Sequence, residues 1–140
     1  MIRKFEKNNI KAIMQIWRNE NIKSHNFIPK EYWESNYKYV QEALPNSEIY
    51  VYSIKEEIVG FIGLNNNYIQ GIFVNTNNQY TGIGTALLEK VKESRENLKL
   101  SVYKKNIKAI NFYKKNNFVI VSENIDENTK EEEYIMTWTK

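Results

Sequence analysis

Two glycines, Gly82 and Gly84, stand between an apolar segment ending in Ile72-Phe73-Val74 and a run, Ala86, Leu87, Leu88 and Val91, spaced as one face of a helix. Glycine lets the backbone come within hydrogen-bond reach of a phosphate, and the first N–H groups of a helix have no partner inside it. Those donors, with the positive end of the helix dipole, favour an anion. The stretch Gln79-Tyr80-Thr81-Gly82-Ile83-Gly84-Thr85 therefore reads as a pyrophosphate cradle. A dinucleotide fingerprint would require Gly-x-Gly-x-x-Gly directly after the first strand of a βαβ unit, and a P-loop would require Gly-Lys followed by Ser or Thr. Neither is present.

Composition bounds the remaining chemistry. The chain has 140 residues, no cysteine and a single histidine, His25. Disulfides, thiolate metal sites and a cysteine nucleophile are excluded, and no metal centre is expected. With 41% apolar and 14% aromatic residues, the chain can bury one substantial core, and one continuous domain over residues 1–140 is expected. No apolar run approaches the roughly 18 residues of a membrane helix. The charged start, Arg3-Lys4-Phe5-Glu6, lacks the apolar centre of a secretory signal, so a cytoplasmic protein without a membrane partner is expected. An excess of 20 basic over 17 acidic residues is too small to imply nucleic-acid binding. Lys90, Lys92, Lys99, Lys104, Lys105, Lys108, Lys114 and Lys115 nevertheless gather downstream of the glycine turn. They read either as steering for phosphates or as the solvated faces of surface helices.

The elements that must position these residues follow from periodicity. Ile2 to Phe5 suggests a strand, and Asn8 or Asn9 can cap a helix with Ile10, Ile13, Met14 and Trp17 on one face, ending near Asn21 or Ile22. Pro29 opens a second helix carrying Tyr32, Trp33, Tyr37, Val40 and Leu44, which Pro45 stops. Residues 48–54 turn through Lys55-Glu56-Glu57 into 58–64, a hairpin, and Asn65-Asn66-Asn67 turns again into 68–74. This three-strand meander delivers its last strand to the glycine loop. A helix over about 81–95 leads to a strand at 98–103, a crossover unit. A fourth helix over 107–115 and strands at 118–121 and 134–138 complete an α/β (α+β) pattern of seven strands and four helices.

Gln79-x-x-Gly82-x-Gly84 resembles the acetyl-CoA-binding signature of the GNAT acetyltransferases, in which Arg or Gln precedes x-x-Gly-x-Gly or Ala. Asn106-x-x-Ala109-x-x-Phe112-Tyr113, running on to Phe118, resembles the closing motif of that superfamily. Asn117 stands where glycine is usual, and asparagine is the next-best residue for a left-handed cap. Thr76 replaces a common proline and is expected to change only turn stiffness. The element order is also the GNAT order, so the resemblance spans nearly the whole chain.

The resemblance implies a mixed central sheet of about seven strands whose fourth and fifth strands splay, with the pantetheine arm of acetyl-CoA lying along the fourth. It implies backbone contacts from Ile72, Phe73 and Val74, one N–H there polarising the thioester carbonyl. Gln79 and the N–H groups of Tyr80, Thr81, Gly82, Ile83, Gly84 and Thr85 would hold the pyrophosphate. Asn106 would touch the pantetheine or order the exit of the fifth strand. Tyr113 would lie at the coenzyme sulfur as general acid for the departing thiolate, a step typically worth about 100- to 10,000-fold in rate. An amine attacks the thioester directly, with no acetyl-enzyme.

The general base is left between a water chain, His25 and the carboxylates Glu31 and Glu34, because Gln70 occupies the neighbourhood where some relatives carry glutamate. Phe27, Tyr32 and Trp33 either wall an acceptor pocket or pack against the sheet. The segment from His25 to Trp33 is similar to one in a branch of small bacterial acetyltransferases whose acceptors range from amino acids to protein amines. The expected activity is N-acetylation of a primary amine of an amino acid or peptide. An aminoglycoside or polyamine acceptor, or a sensor that binds acetyl-CoA without turnover, are the alternatives. A monomer or homodimer is expected, with residues 134–138 as a pairing strand, although Glu131-Glu132-Glu133 argues against an open edge.

Overall fold

The computed structural model describes residues 1–140. It runs β1 (Ile2–Lys4), α1 (Ile10–Ser24), α2 (Lys30–Ala43), β2 (Glu48–Ile54), β3 (Glu57–Asn65), β4 (Tyr68–Val74), α3 (Ile83–Lys92), β5 (Asn97–Tyr103), α4 (Ile107–Lys115), β6 (Val119–Ile125) and β7 (Glu132–Thr139). The strands form one mixed sheet in the order β1-β2-β3-β4-β5-β7-β6. Only β4 and β5 are parallel neighbours, as the intervening α3 crossover requires.

Two cores lie on the two faces of this sheet. Ile13, Met14 and Trp17 of α1 and Trp33 of α2 pack on one face with Ile49, Val51, Ile58 and Phe61. Ile83, Leu87, Leu88 and Val91 of α3 pack on the other with Ile110 and Tyr113 of α4 and Val59, Ile62 and Leu64 of β3. β3 supplies both cores, which is why its sequence is an unbroken apolar run. β2 alternates instead, with Ile49 and Val51 in one core and Tyr50 and Tyr52 against the other.

Local chemistry shifts several element ends from the sequence reading. α3 starts at Ile83 rather than near Thr81, because Tyr80 and Gly82 have φ of 63° and 89°, outside any right-handed helix. Asn9 occupies the N-cap position of α1, yet its Oδ1 accepts from Arg3 Nη1 and the Glu6 N–H and so closes the preceding turn. Asn117 adopts φ 72°, and the Phe118 N–H reaches back to the Tyr113 carbonyl at 3.0 Å, the left-handed cap that asparagine was expected to make. The expected pairing strand near 134–138 is corrected: β7 is bonded on both sides, by β5 and β6, and has no free edge. The edge strands are β1 and β6, and on β6 Val119, Ile120, Val121 and Ile125 are exposed.

One pairing positions the site. β4 and β5 share a single register pair, Tyr68↔Lys99, while β5 is engaged along its length with β7 from Asn97↔Thr139 to Tyr103↔Glu133. Beyond Tyr68 the two strands therefore diverge, and the sheet opens into a cleft of about 990 Å³ lined by β4, the 75–82 loop, the start of α3, β5 and α4.

Candidate active site

β4 presents a free backbone edge to this cleft. The Asn75 N–H donates to the Val59 carbonyl at 2.8 Å, which sets the phase of the antiparallel β3–β4 ladder. By the alternation of such a ladder, Phe73 and Gly71 turn their N–H and C=O groups toward β3, whereas Ile72 and Val74 turn theirs toward the gap. Of the three residues expected to bind by backbone, Phe73 is thus taken by β3. Its ring packs on Phe61 at 5.2 Å between centroids and lies over Gly71, where a Cβ would come within 2.4 Å of it. The Val74 carbonyl is already occupied by Gln79 Nε2 at 2.9 Å.

The mouth of α3 has the donors an anion needs. The first intrahelical bond is from the Ala86 N–H to the Gly82 carbonyl at 3.0 Å, and no side chain caps the helix, so the N–H groups of Ile83, Gly84 and Thr85 lack intrahelical partners. The two glycines have different reasons. At Gly82 an added Cβ would meet nothing within 4 Å, so the site needs glycine for φ 89° and leaves open space before the helix. At Gly84 a Cβ would lie 3.0 Å from Phe112 Cζ: its small size admits the Phe112 ring of α4 rather than a phosphate. This contact joins the two sequence motifs physically. Of residues 79 to 85, only Thr81 does not line the cleft; its hydroxyl donates to the Asn78 carbonyl.

The loop before the helix is held from α1. Glu20, only 6% exposed, accepts from the Thr76 N–H at 3.2 Å, the Thr76 hydroxyl at 2.9 Å and Gln79 Nε2 at 2.9 Å. Thr76 therefore does more than alter stiffness, because a proline there would have no N–H to give. Gln79 spends both amide hydrogens, on Glu20 and Val74, and its Oε1 accepts from Lys108 Nζ at 3.2 Å. Sequence reading did not single out Glu20. The available signal was a carboxylate on the stripe Ile13, Ile16, Trp17 and Asn21, which is the buried face of α1.

At the other end, Asn106 is the N-cap of α4, its Oδ1 accepting from the Ala109 N–H at 3.3 Å. Its Nδ2 then points at His25 Nε2, 3.2 Å away, which fixes that nitrogen as acceptor and leaves Nδ1–H to donate to the Asn21 carbonyl at 3.1 Å. The imidazole stacks on Trp33 at 5.3 Å and meets the edges of Phe27 and Tyr103. Burial pulls its pKa from 6.5 down to about 4, against a smaller opposing effect of the Asn21 bond. At neutral pH His25 is a neutral strut with both nitrogens engaged. Glu34 is paired with Arg18 at 2.7 Å, and neither it nor Glu31 lines the cleft.

Tyr113 is 8% exposed and lines the cleft, and burial raises its phenol well above the usual tyrosine range. It therefore keeps its proton at any ordinary pH. Trp33 packs in the core beside Ile49, Val51 and Phe61, edge-on against Trp17 at 5.9 Å, and also borders the cleft. Its Nε1–H is buried without a partner. Tyr32 lines only a neighbouring cavity of about 310 Å³, which it shares with Trp33, Gln70 and Phe73. Phe27 lines neither and packs on His25 and Tyr103.

A free strand edge, an uncapped helix mouth with open space before it and a proton-bearing tyrosine together fit a long thioester-bearing pyrophosphate ligand. The chain belongs to the GNAT acetyltransferases: residues 16–131 match the Acetyltransferase (GNAT) domain family. It transfers acetyl groups, and its coenzyme is acetyl-CoA. It is similar to the peptidyl-lysine N-acetyltransferase YiaC of Escherichia coli, with 31% identity over 99% of this chain and 96% of YiaC. The apo-form structure of YjaB from Escherichia coli superimposes with a TM-score of 0.87 at 22% identity, covering 99% of this chain and 96% of that one. A Bacillus anthracis structure in complex with acetyl coenzyme A gives a TM-score of 0.61 at 26% identity, over 67% of this chain and 62% of that one. No helix of the protein is long and apolar enough to cross a membrane.

Proposed function

We propose that this protein N-acetylates a primary amine of a peptide or protein, the lysine side chain first among them, by direct attack within the β4–β5 cleft. The observation that carries the reading is the free edge of β4, which runs from the cradle at Gln79–Thr85 into the cleft that Tyr113 lines. The similarity to a peptidyl-lysine N-acetyltransferase over nearly the full length supports the acceptor class. Acetyl-CoA supplies the acetyl group as a thioester when bound.

The chain's residues divide the work. The N–H groups of Ile83, Gly84 and Thr85 hold the pyrophosphate, and the gap-facing groups of Ile72 with the Val74 N–H hold the pantetheine. One of those strand N–H groups polarises the reacting carbonyl. Tyr113, kept protonated by burial, donates to the leaving sulfur; the same apolar surroundings raise the proton affinity of a thiolate, which keeps the transfer feasible. Asn106 positions rather than reacts, since its amide is committed to Ala109 and His25. With both His25 nitrogens engaged, a water chain is the assigned route for the amine's proton. Trp33 and Tyr32 wall the acceptor side.

Thiol release from acetyl-CoA across lysine peptides, free amino acids, polyamines and aminoglycosides tests this. Release that requires a lysine peptide supports the reading. Release only with a small amine moves the acceptor class, and tight coenzyme binding without turnover on any amine replaces the enzyme with a sensor.

A further inference from the structure

Glu20 is an anion buried in the wrong place for stability. It lies on the buried face of α1, 6% exposed, with no lysine or arginine within ion-pair distance. Its compensation comes entirely from three donors of the 75–82 loop: the Thr76 N–H, the Thr76 hydroxyl and Gln79 Nε2. Lys23, one turn later, donates to the same Thr76 hydroxyl at 2.8 Å. A carboxylate that accepts only from one loop is a template for that loop.

The far side of the relay is a cation. Gln79 Oε1 receives Lys108 Nζ at 3.2 Å, and the same ammonium lies 4.7 Å from the centre of the Tyr80 ring. Lys108 has no carboxylate within ion-pair range, whereas Lys104 and Lys105 are bound to Glu123, Glu132 and Glu131. An ammonium without a carboxylate partner and the positive mouth of α3 thus line the same cleft, an arrangement that favours an arriving anion.

We propose that Glu20 is the positioning residue of the coenzyme's phosphate site: through Thr76 and Gln79 it pre-forms the loop, and it aims Lys108 across the helix mouth as the cation for the pyrophosphate. The inference rests on the acetyl-CoA assignment. In Glu20→Gln, an amide NH₂ must face a loop donor on one side or the other, so the relay cannot close.

The test compares two donors and one binding measurement. Calorimetric titration with coenzyme A is expected to show about 10- to 100-fold weaker binding for Glu20→Gln and for Lys108→Met, the range of one charge-assisted hydrogen-bond set. Turnover of S-acetylpantetheine, which has no pyrophosphate, should stay within about twofold of the parent in both variants. Unchanged coenzyme affinity in either soluble variant overturns the proposal, as does an equal loss with both donors, which marks a merely structural role. If Glu20→Gln does not fold, Lys108→Met decides alone. A parent protein that fails to bind coenzyme A refutes the function reading instead.

Discussion

His25 is the only histidine, so its titration can be followed without ambiguity. Burial among Phe27, Trp33 and Tyr103 lowers its pKa from 6.5 to about 4 in the folded chain. The unfolded chain therefore takes up a proton at higher pH than the folded one. The resulting stability is fully present above pH 6.5 and is lost as pH falls toward 4. At about 1.4 kcal/mol per pH unit, the whole interval is worth up to roughly 3 kcal/mol. The part above pH 5, before carboxylates begin to titrate, is worth about 2 kcal/mol. Urea unfolding at pH 7.0, 6.0 and 5.0 should show this slope in the parent and its absence in His25→Gln, whatever the absolute stability of the variant. The single imidazole Cε1 proton signal should shift with a midpoint near 4. A midpoint near 6.5, with parallel stability slopes in parent and variant, would refute the reasoning and return His25 to candidacy as the base.

Tyr113→Phe should lower kcat by about 100- to 10,000-fold with coenzyme affinity unchanged, and the parent's kcat should show no loss from phenol ionisation up to about pH 10, because burial raises that pKa. Gly82→Ala meets no atom, so its cost should be the left-handed backbone alone, about 1–2 kcal/mol of stability, with a raised KM for acetyl-CoA as the loop relaxes. Gly84→Leu should instead force the Phe112 ring aside and lower the melting temperature through the α3–α4 contact, and Phe112→Ala in the same chain should recover part of it.

The periodic signals were reliable where burial is one-sided or complete. The alternation of Ile49 and Val51, the apolar run of β3 and the 3.6-residue stripe of α1 each reported the local environment directly. The uncapped start of α3 was legible because the left-handed turn before it needs a glycine-like backbone at Gly82, whatever the tertiary context. What escaped was the reason for each residue. Gly84 looked like a phosphate glycine but answers to Phe112, 28 positions later, and Thr76 looked like a weakened proline but serves Glu20, 56 positions earlier. Such long-range pairs leave no local pattern. His25 was ambiguous for a similar reason: its engagement depends on Asn106 from another helix, 81 positions away.

The odd–even phase of β4 has a consequence in hydrogen exchange. Gly71 and Phe73 are locked to β3, whereas the Ile72 and Val74 amides face the cleft, so deuterium uptake in the free protein should alternate from residue to residue along this one strand. A pantetheine amide lying along the gap would act as the missing neighbour strand. Coenzyme would then protect Ile72 and Val74 and leave Gly71 and Phe73 almost unchanged. The sheet is in this sense unfinished as synthesised, and a coenzyme bound in this way would supply its last row of backbone bonds.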